Sequence, residues 1–220
     1  MMRLVLLPAV LCGAALHAAD SAPRPVPIDN EYVKVIDASA EPHRKTRIHD
    51  HKVNRVMVYL NSGSQRIEWQ DGRTEEIRWN AGQPLWSPAG GMHTAEITSD
   101  TPVRILEIEL KKAPGGGEPG SAALDPVKLL PRNYKVEFEN DHVRVVRVKA
   151  APRETLKLHE HATNRVAVML TEQNFRITAA DGTVQTPKRQ AGEVSWGTPV
   201  RHVEENLSDR PFEIIMVDLK

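Results

Sequence analysis

Cys12 is the only cysteine in the 220 residues, and it sits in an N-terminal apolar stretch that reads as an export signal. Loss of that stretch would leave no thiol at all. That excludes disulfides, thiol nucleophiles and thiolate metal sites from the mature chain. An excess of charge of one sign is lacking too: 29 basic residues face 29 acidic ones. A nucleic-acid partner calls for a clear basic surplus, so no nucleic acid is expected. Aromatics are scarce, with three Phe, three Tyr and four Trp. Beyond the N-terminus no apolar run reaches membrane-crossing length. The sequence also has no Gly-rich phosphate loop, no Ser-centred nucleophile elbow and no His-Glu-x-x-His helix. No segment keeps a helical period for three turns.

At the N-terminus Arg3 is followed by the apolar run "LVLLPAVLCGAAL" and then by the small residues of "HAAD". This predicts a signal over residues 1–19, and with it a periplasmic or secreted protein with no membrane association after cleavage. Leu11 precedes Cys12 where a lipoprotein signal prefers a small residue, which argues against a lipid anchor.

What the sequence has is a long internal repeat. Shifted by 110 residues, Asn30 meets Asn140, and the match runs without a gap to Ala89 and Pro199. "RIHDHKVNRVMVYL" from Arg47 meets "KLHEHATNRVAVML" from Lys157. One residue is then dropped, His93 meets His202, and the match continues to Lys111 and Lys220. The halves are therefore expected to share one fold: 20–112 and 131–220, joined by a Gly/Pro-rich linker over 113–130. The tail of that linker, "DPVKLLP", has room for one helical turn at most. Within each half "EYVKVIDA" and "DHVRVVRV" alternate or run β-branched, as strands do. Asp71-Gly72 and Asp181-Gly182 lie between strand-like runs, a strong hairpin signal. The fold class is all-β, with six or more short strands per half arranged as a sandwich or barrel.

Of the nine histidines, six form three aligned pairs: His49 with His159, His51 with His161, and His93 with His202. His17, His43 and His142 have no aligned partner. His-x-His on a strand puts two imidazoles on one face, because side chains alternate. A third imidazole from a distant strand completes a set with open positions. Neutral imidazole is a common ligand for Zn, Fe, Cu and Ni. The plain alternative is that these histidines are polar residues filling a barrel mouth.

"GQPLWSPAGGMH", from Gly82 to His93, resembles the second motif of the cupin superfamily. His49 and His51 resemble the opening of its first motif. The resemblance covers both halves. It implies two tandem antiparallel β-barrels of the double-stranded β-helix or jelly-roll type, each with a metal held by three His and one Glu. Asn206, four residues after His202, fits the family pattern, and the first half has Ile97 there. The sequence departs from the family in two places, identically in both halves. Arg55 and Arg165 stand where the Glu is expected. His43 and Arg153 stand where a Gly is expected six residues before the first His.

Three readings of the missing Glu stay open. A three-His metal could remain, with Arg55 and Arg165 gripping a substrate carboxylate bidentately. Histidines and arginines could form a metal-free pocket for an anion. Or Arg55 could be structural, paired with a buried acid such as Glu107 or Asp37. Strand parity places Arg55, Met57 and Tyr59 on one face and Val56, Val58 and Leu60 on the other. Trp86 and Trp196 are expected to pack in the core beside the third histidine, and "HRKTR" from His43 to be a solvated rim.

The resulting expectation is a metal-dependent oxygenase or isomerase that acts on a small anionic organic molecule. Its metal would be Fe, Mn, Zn or Ni, held by His49, His51 and His93, by His159, His161 and His202, or in one barrel only. Arg55 and Arg165 are its candidate catalytic residues. The rival from another class is a non-catalytic binding module for a sugar or organic acid. Two fused barrels mimic a dimer, so a monomer or a homodimer is expected.

Overall fold

Alternating side chains and Gly-bearing turns give each half a pair of antiparallel sheets. The computed structural model describes residues 25–113 and 120–220; the signal-like stretch and Cys12 lie outside them. The first half runs β1 (Ile28–Asp29), β2 (Val33–Ala40), β3 (Arg55–Tyr59), β4 (Gly63–Trp69), β5 (Thr74–Trp79), β6 (Gln83–Ser87), β7 (His93–Ile97) and β8 (Val103–Leu110). Its sheets have the orders β1-β2-β8-β3-β6 and β5-β4-β7. One helical turn, α1 (Pro126–Leu129), follows; Asp125 caps it by accepting from the Val127 amide at 3.1 Å.

The second half continues with β9 (Tyr134–Glu139), β10 (Val143–Ala150), β11 (Thr155–His161), β12 (Arg165–Met169), β13 (Gln173–Ala179), β14 (Val184–Gln185) and β15 (Lys188–Arg189). It closes with β16 (Val194–Gly197), β17 (Val200–Asn206) and β18 (Phe212–Leu219). Its sheets have the orders β16-β12-β18-β10-β9 and β11-β17-β13-β14, with β15 also pairing β13. Gly72 (φ 87°) turns β4 into β5 and Gly182 (φ 86°) turns β13 into β14. Asp-Gly serves both turns because glycine takes positive φ without a steric penalty.

The two larger sheets supply a core shared by both halves. Val33, Val35, Val56, Val58, Leu106 and Ile108 cluster with Val143, Val145, Val166, Val168, Ile215 and Val217. Each is fully buried, which stabilises by roughly 1.5–3 kcal/mol per side chain relative to exposure. The alternate residues face inward. Met57 and Tyr59 join the interior of the first barrel, while Met169 and Met216 join that of the second. The parity expected for β3 therefore holds despite the loop after His51.

Contacts between the halves recur with the halves exchanged. Tyr32 stacks on Trp196 at 5.8 Å, and its aligned residue His142 stacks on Trp86 at 5.5 Å. This corrects the expectation for the two tryptophans. They do not flank the third histidine but pack at the seam between the barrels, because β6 and β16 are edges of the two facing sheets.

His43 (φ 56°) and Arg153 (φ 60°) are the only non-glycine residues with positive φ among those described. They occupy the positions where the cupin pattern expects Gly. The backbone requirement survives without the residue that meets it most cheaply, at about 1 kcal/mol each. Both side chains reach an aligned acid: His43 lies 3.1 Å from Asp100, and Arg153 lies 2.8 Å from Asp209.

Candidate metal centres

Six imidazoles meet in two groups of three. In each group the candidate ligand atoms all lie within 4.8 Å of one another. In the second barrel, His159 and His161 project from β11 and His202 from β17, with His159 opposite His202 in register. Ring centroids are 5.0, 4.6 and 5.2 Å apart. In the first barrel, the centroids of His49, His51 and His93 are 5.0, 4.6 and 5.3 Å apart. There His-x-His lies outside a strand, which differs from expectation. His49 and His93 nonetheless exchange two backbone hydrogen bonds, each 2.9 Å, and these hold the loop against β7.

Backbone carbonyls fix the tautomers. Nδ1 of His49 is 2.8 Å from the Arg47 carbonyl, Nδ1 of His93 is 2.8 Å from that of Gly91, and Nδ1 of His159 is 2.8 Å from that of Lys157. A carbonyl only accepts, so each Nδ1 carries the proton and each Nε2 presents its lone pair. This is how metal-ligating imidazoles are oriented in general. Burial, the main cause, pushes His93, His159 and His161 below the usual imidazole range. His202 falls to about 3, chiefly through burial and then through neighbouring His159. Neutral imidazoles are the ligating form. The donor set therefore suits a divalent transition metal.

The two centres differ in access. His49 and His51 are half-buried, and beside His93 lies a cavity of about 350 Å³ lined by Trp69, Gln70, Asp71, Arg73, Gly91 and Met92. Gly91 (φ 77°) lets the Trp69 ring come close, since a Cβ there would stand 2.3 Å from Cζ3. In the second barrel His159, His161 and His202 are 0, 4 and 6% exposed. Closure comes from the connecting segment. The Ser121 amide donates to Glu160 at 2.7 Å, the Glu160 amide donates to the Leu124 carbonyl, and Val127 and Leu130 pack on the inner cluster. Buried Tyr134 places its hydroxyl 3.0 Å from Nε2 of His159.

Arg55 and Arg165 both point inward and are buried. Arg55 donates to Glu107 at 3.0 Å and to Ser87 at 2.9 Å, a buried ion pair with side chains 7 and 9% exposed. Asp37, the other acid considered for Arg55, is held by Arg104 instead. The aligned residues of the second half are Met216 and Gly197, so Arg165 has no such partners. It donates to the Thr198 carbonyl at 2.6 Å, in space left open by Gly197. Burial lowers both guanidinium pKa values. Two buried acids lie on the second barrel's strands. Burial raises Glu204 to about 7 and raises Asp218 against the pull of Arg144.

Tyr134 and Glu204 were not among the residues expected from the sequence. Tyr134 aligns with Arg24, so the repeat carried no signal for it. Glu204 shares its strand face with His202, a period-two relation that could have found it. Asn206 stitches a loop, donating to the Ala151 and Arg210 carbonyls, whereas aligned Ile97 fills the apolar interior.

No protein-family model and no curated protein sequence matches the chain. Solved structures do. A structure of oxalate decarboxylase is 16% identical, with a TM-score of 0.60 over 86% of this chain and 69% of that one. A variant of the Bacillus subtilis oxalate decarboxylase is 17% identical, with a TM-score of 0.59 over the same shares. A cupin 2 conserved barrel domain protein from Leptotrichia buccalis is 14% identical, with a TM-score of 0.53 over 88% of this chain and 86% of that one. At these identities the likeness establishes the fold: two cupin barrels in one chain.

Proposed function

We propose that this tandem cupin is a metalloprotein that takes a divalent ion on each histidine trio and binds a small organic anion at the first. The supporting observation is the pair of trios, with Nδ1 of His49, His93 and His159 pinned on backbone carbonyls. At the first centre the ligands are neutral, and Glu107 is already neutralised by Arg55. A dication there keeps its full charge, and half-buried His49 and His51 leave a side from which a carboxylate reaches it. A bound dication supplies Lewis-acid polarisation and, for iron or manganese, redox chemistry with O₂. The chain's own part is to orient the anion. Trp69 and Met92 wall the cavity, where Arg73 stacks over Trp69 at 5.1 Å and donates to Asp71 at 2.8 Å. Arg55 is buried and donates to Glu107 at 3.0 Å. Oxalate decarboxylase, whose solved structures include Mn(II) centres, supports a small dicarboxylate and manganese as first probes. Oxygenase or isomerase chemistry is the reaction class proposed, and export remains part of the proposal.

A second reading, a non-catalytic binding module, is favoured by one observation. Arg55 and Glu107 are committed to each other as a buried ion pair, which removes Glu107 as a free acid–base group at the first centre. The test is reconstitution of untagged protein with Mn, Fe, Zn or Ni, followed by elemental analysis. The His49→Ala/His51→Ala double variant should lose half of the bound metal. Added oxalate should perturb the Mn(II) resonance of the wild type but not that of the variant. Absence of uptake, or uptake unchanged in the variant, overturns the proposal. Anion binding without turnover selects the binding module.

A further inference from the structure

Nε2 of His159 is oversubscribed. Its Nδ1–H is committed to the Lys157 carbonyl at 2.8 Å, so Nε2 has one lone pair and no proton. Two groups face that single lone pair: the Tyr134 hydroxyl at 3.0 Å and Nε2 of His202 at 3.1 Å. One hydrogen bond satisfies one of them and leaves the other without a role in a site where every imidazole is buried. A cation resolves the conflict, because each of the three atoms can then turn a lone pair on it. The spacings agree. Donor atoms about 3.0 Å apart are adjacent corners of an octahedron with bonds of about 2.1 Å.

We infer that the Tyr134 oxygen is a fourth protein ligand of the second centre. The inference rests on the metal-binding reading proposed above. Tyr134 enters from β9, a strand whose tyrosine has no counterpart in the other half, so the two centres differ in their ligands. Its ring is buried in one apolar cluster with Val146, Leu156 and Phe212, which restrains the hydroxyl before any metal arrives. A phenol that ligates as phenolate releases its proton to solvent and brings one negative charge. That charge offsets part of a dication's in a barrel whose three imidazoles are buried.

The test is spectroscopic. Ferric ion bound by a phenolate gives a visible charge-transfer band that three imidazoles alone do not. Protein carrying His49→Ala and His51→Ala, loaded with iron and oxidised, should show the band, and the further change Tyr134→Phe should remove it. Tyr134→Phe should also weaken Zn affinity at this centre by about tenfold or more. Thermal unfolding of the metal-free proteins reports whether the phenylalanine variant is folded, and Tyr134→His, which retains a donor atom, should recover part of the affinity. Metal bound without the band, with equal affinity in Tyr134→Phe, overturns the inference and leaves the metal-binding reading standing. Tighter binding in Tyr134→Phe makes the tyrosine a plug and also overturns it. A second barrel that takes up no metal, with its histidines intact, removes both.

Discussion

Where the first barrel has Glu107 and Ser87 around its inward arginine, the second has Met216 and Gly197, and the arginine has stayed. A buried guanidinium stands in both halves, but a carboxylate hydrogen-bonded to it in only one. The second barrel instead collects Tyr134 and Glu204 around its core, residues the first lacks at aligned positions, while its buried Asp218 aligns with half-buried Glu109. Buried charge is thus balanced pairwise in one barrel and as a field in the other. Access follows the same division: one trio opens beside a cavity, and the other lies sealed beneath residues 120–130. Ion pairs on the facing sheets make a related point. Asp37 pairs with Arg104, and the aligned residues Arg147 and Glu213 also pair, with the signs reversed. The interaction recurs in both halves with its residue types exchanged.

The comparison predicts unequal responses to substitution. The largest is at the buried pair. Glu107→Ala should destabilise the protein by about 3–5 kcal/mol in urea unfolding, because it strands the Arg55 charge. The aligned Met216→Ala removes only apolar volume and should cost about 2–3 kcal/mol. Equal losses would mean that Arg55 is satisfied in some other way. Next is metal removal. A chelator should strip the half-exposed first centre about tenfold faster than the sealed second one, as followed by stopped-flow with a metal indicator. Identical rates would break the open-and-closed distinction. At the seam, Trp86→Ala and Trp196→Ala should each lower stability by about 3 kcal/mol and leave metal content unchanged. A loss of metal would put these rings back beside the histidines. The smallest effect is at the left-handed positions. His43→Gly and Arg153→Gly should each shift stability by about 1 kcal/mol or less, towards greater stability, since relief of strain outweighs an exposed ion pair. Clear destabilisation of either would show that the pairing with Asp100 or Asp209 dominates.

Much of this was legible in the sequence because the repeat made aligned residues testify for one another. Both Asp-Gly hairpins, the all-β class and the two histidine trios came from pattern and spacing. Parity alone placed Arg55 with Met57 and Tyr59 inside the first barrel. Other features left no trace in pattern. Tyr134 comes from a position with no tyrosine in the other half, and its approach to His159 depends on how β9 closes the barrel. Trp86 and Trp196 were misplaced because alignment shows that two residues are equivalent, not which surface they cover. The positive φ at His43 and Arg153 was hidden because the residue that would signal it, glycine, is missing from both.

Anomalous diffraction at the manganese edge from crystals of the loaded protein tests the whole account most directly. Two peaks are predicted, each within bonding range of three Nε2 atoms. Solvent or an added carboxylate should complete the first, and the Tyr134 oxygen the second. A single shared peak, or peaks away from the imidazoles, would contradict it.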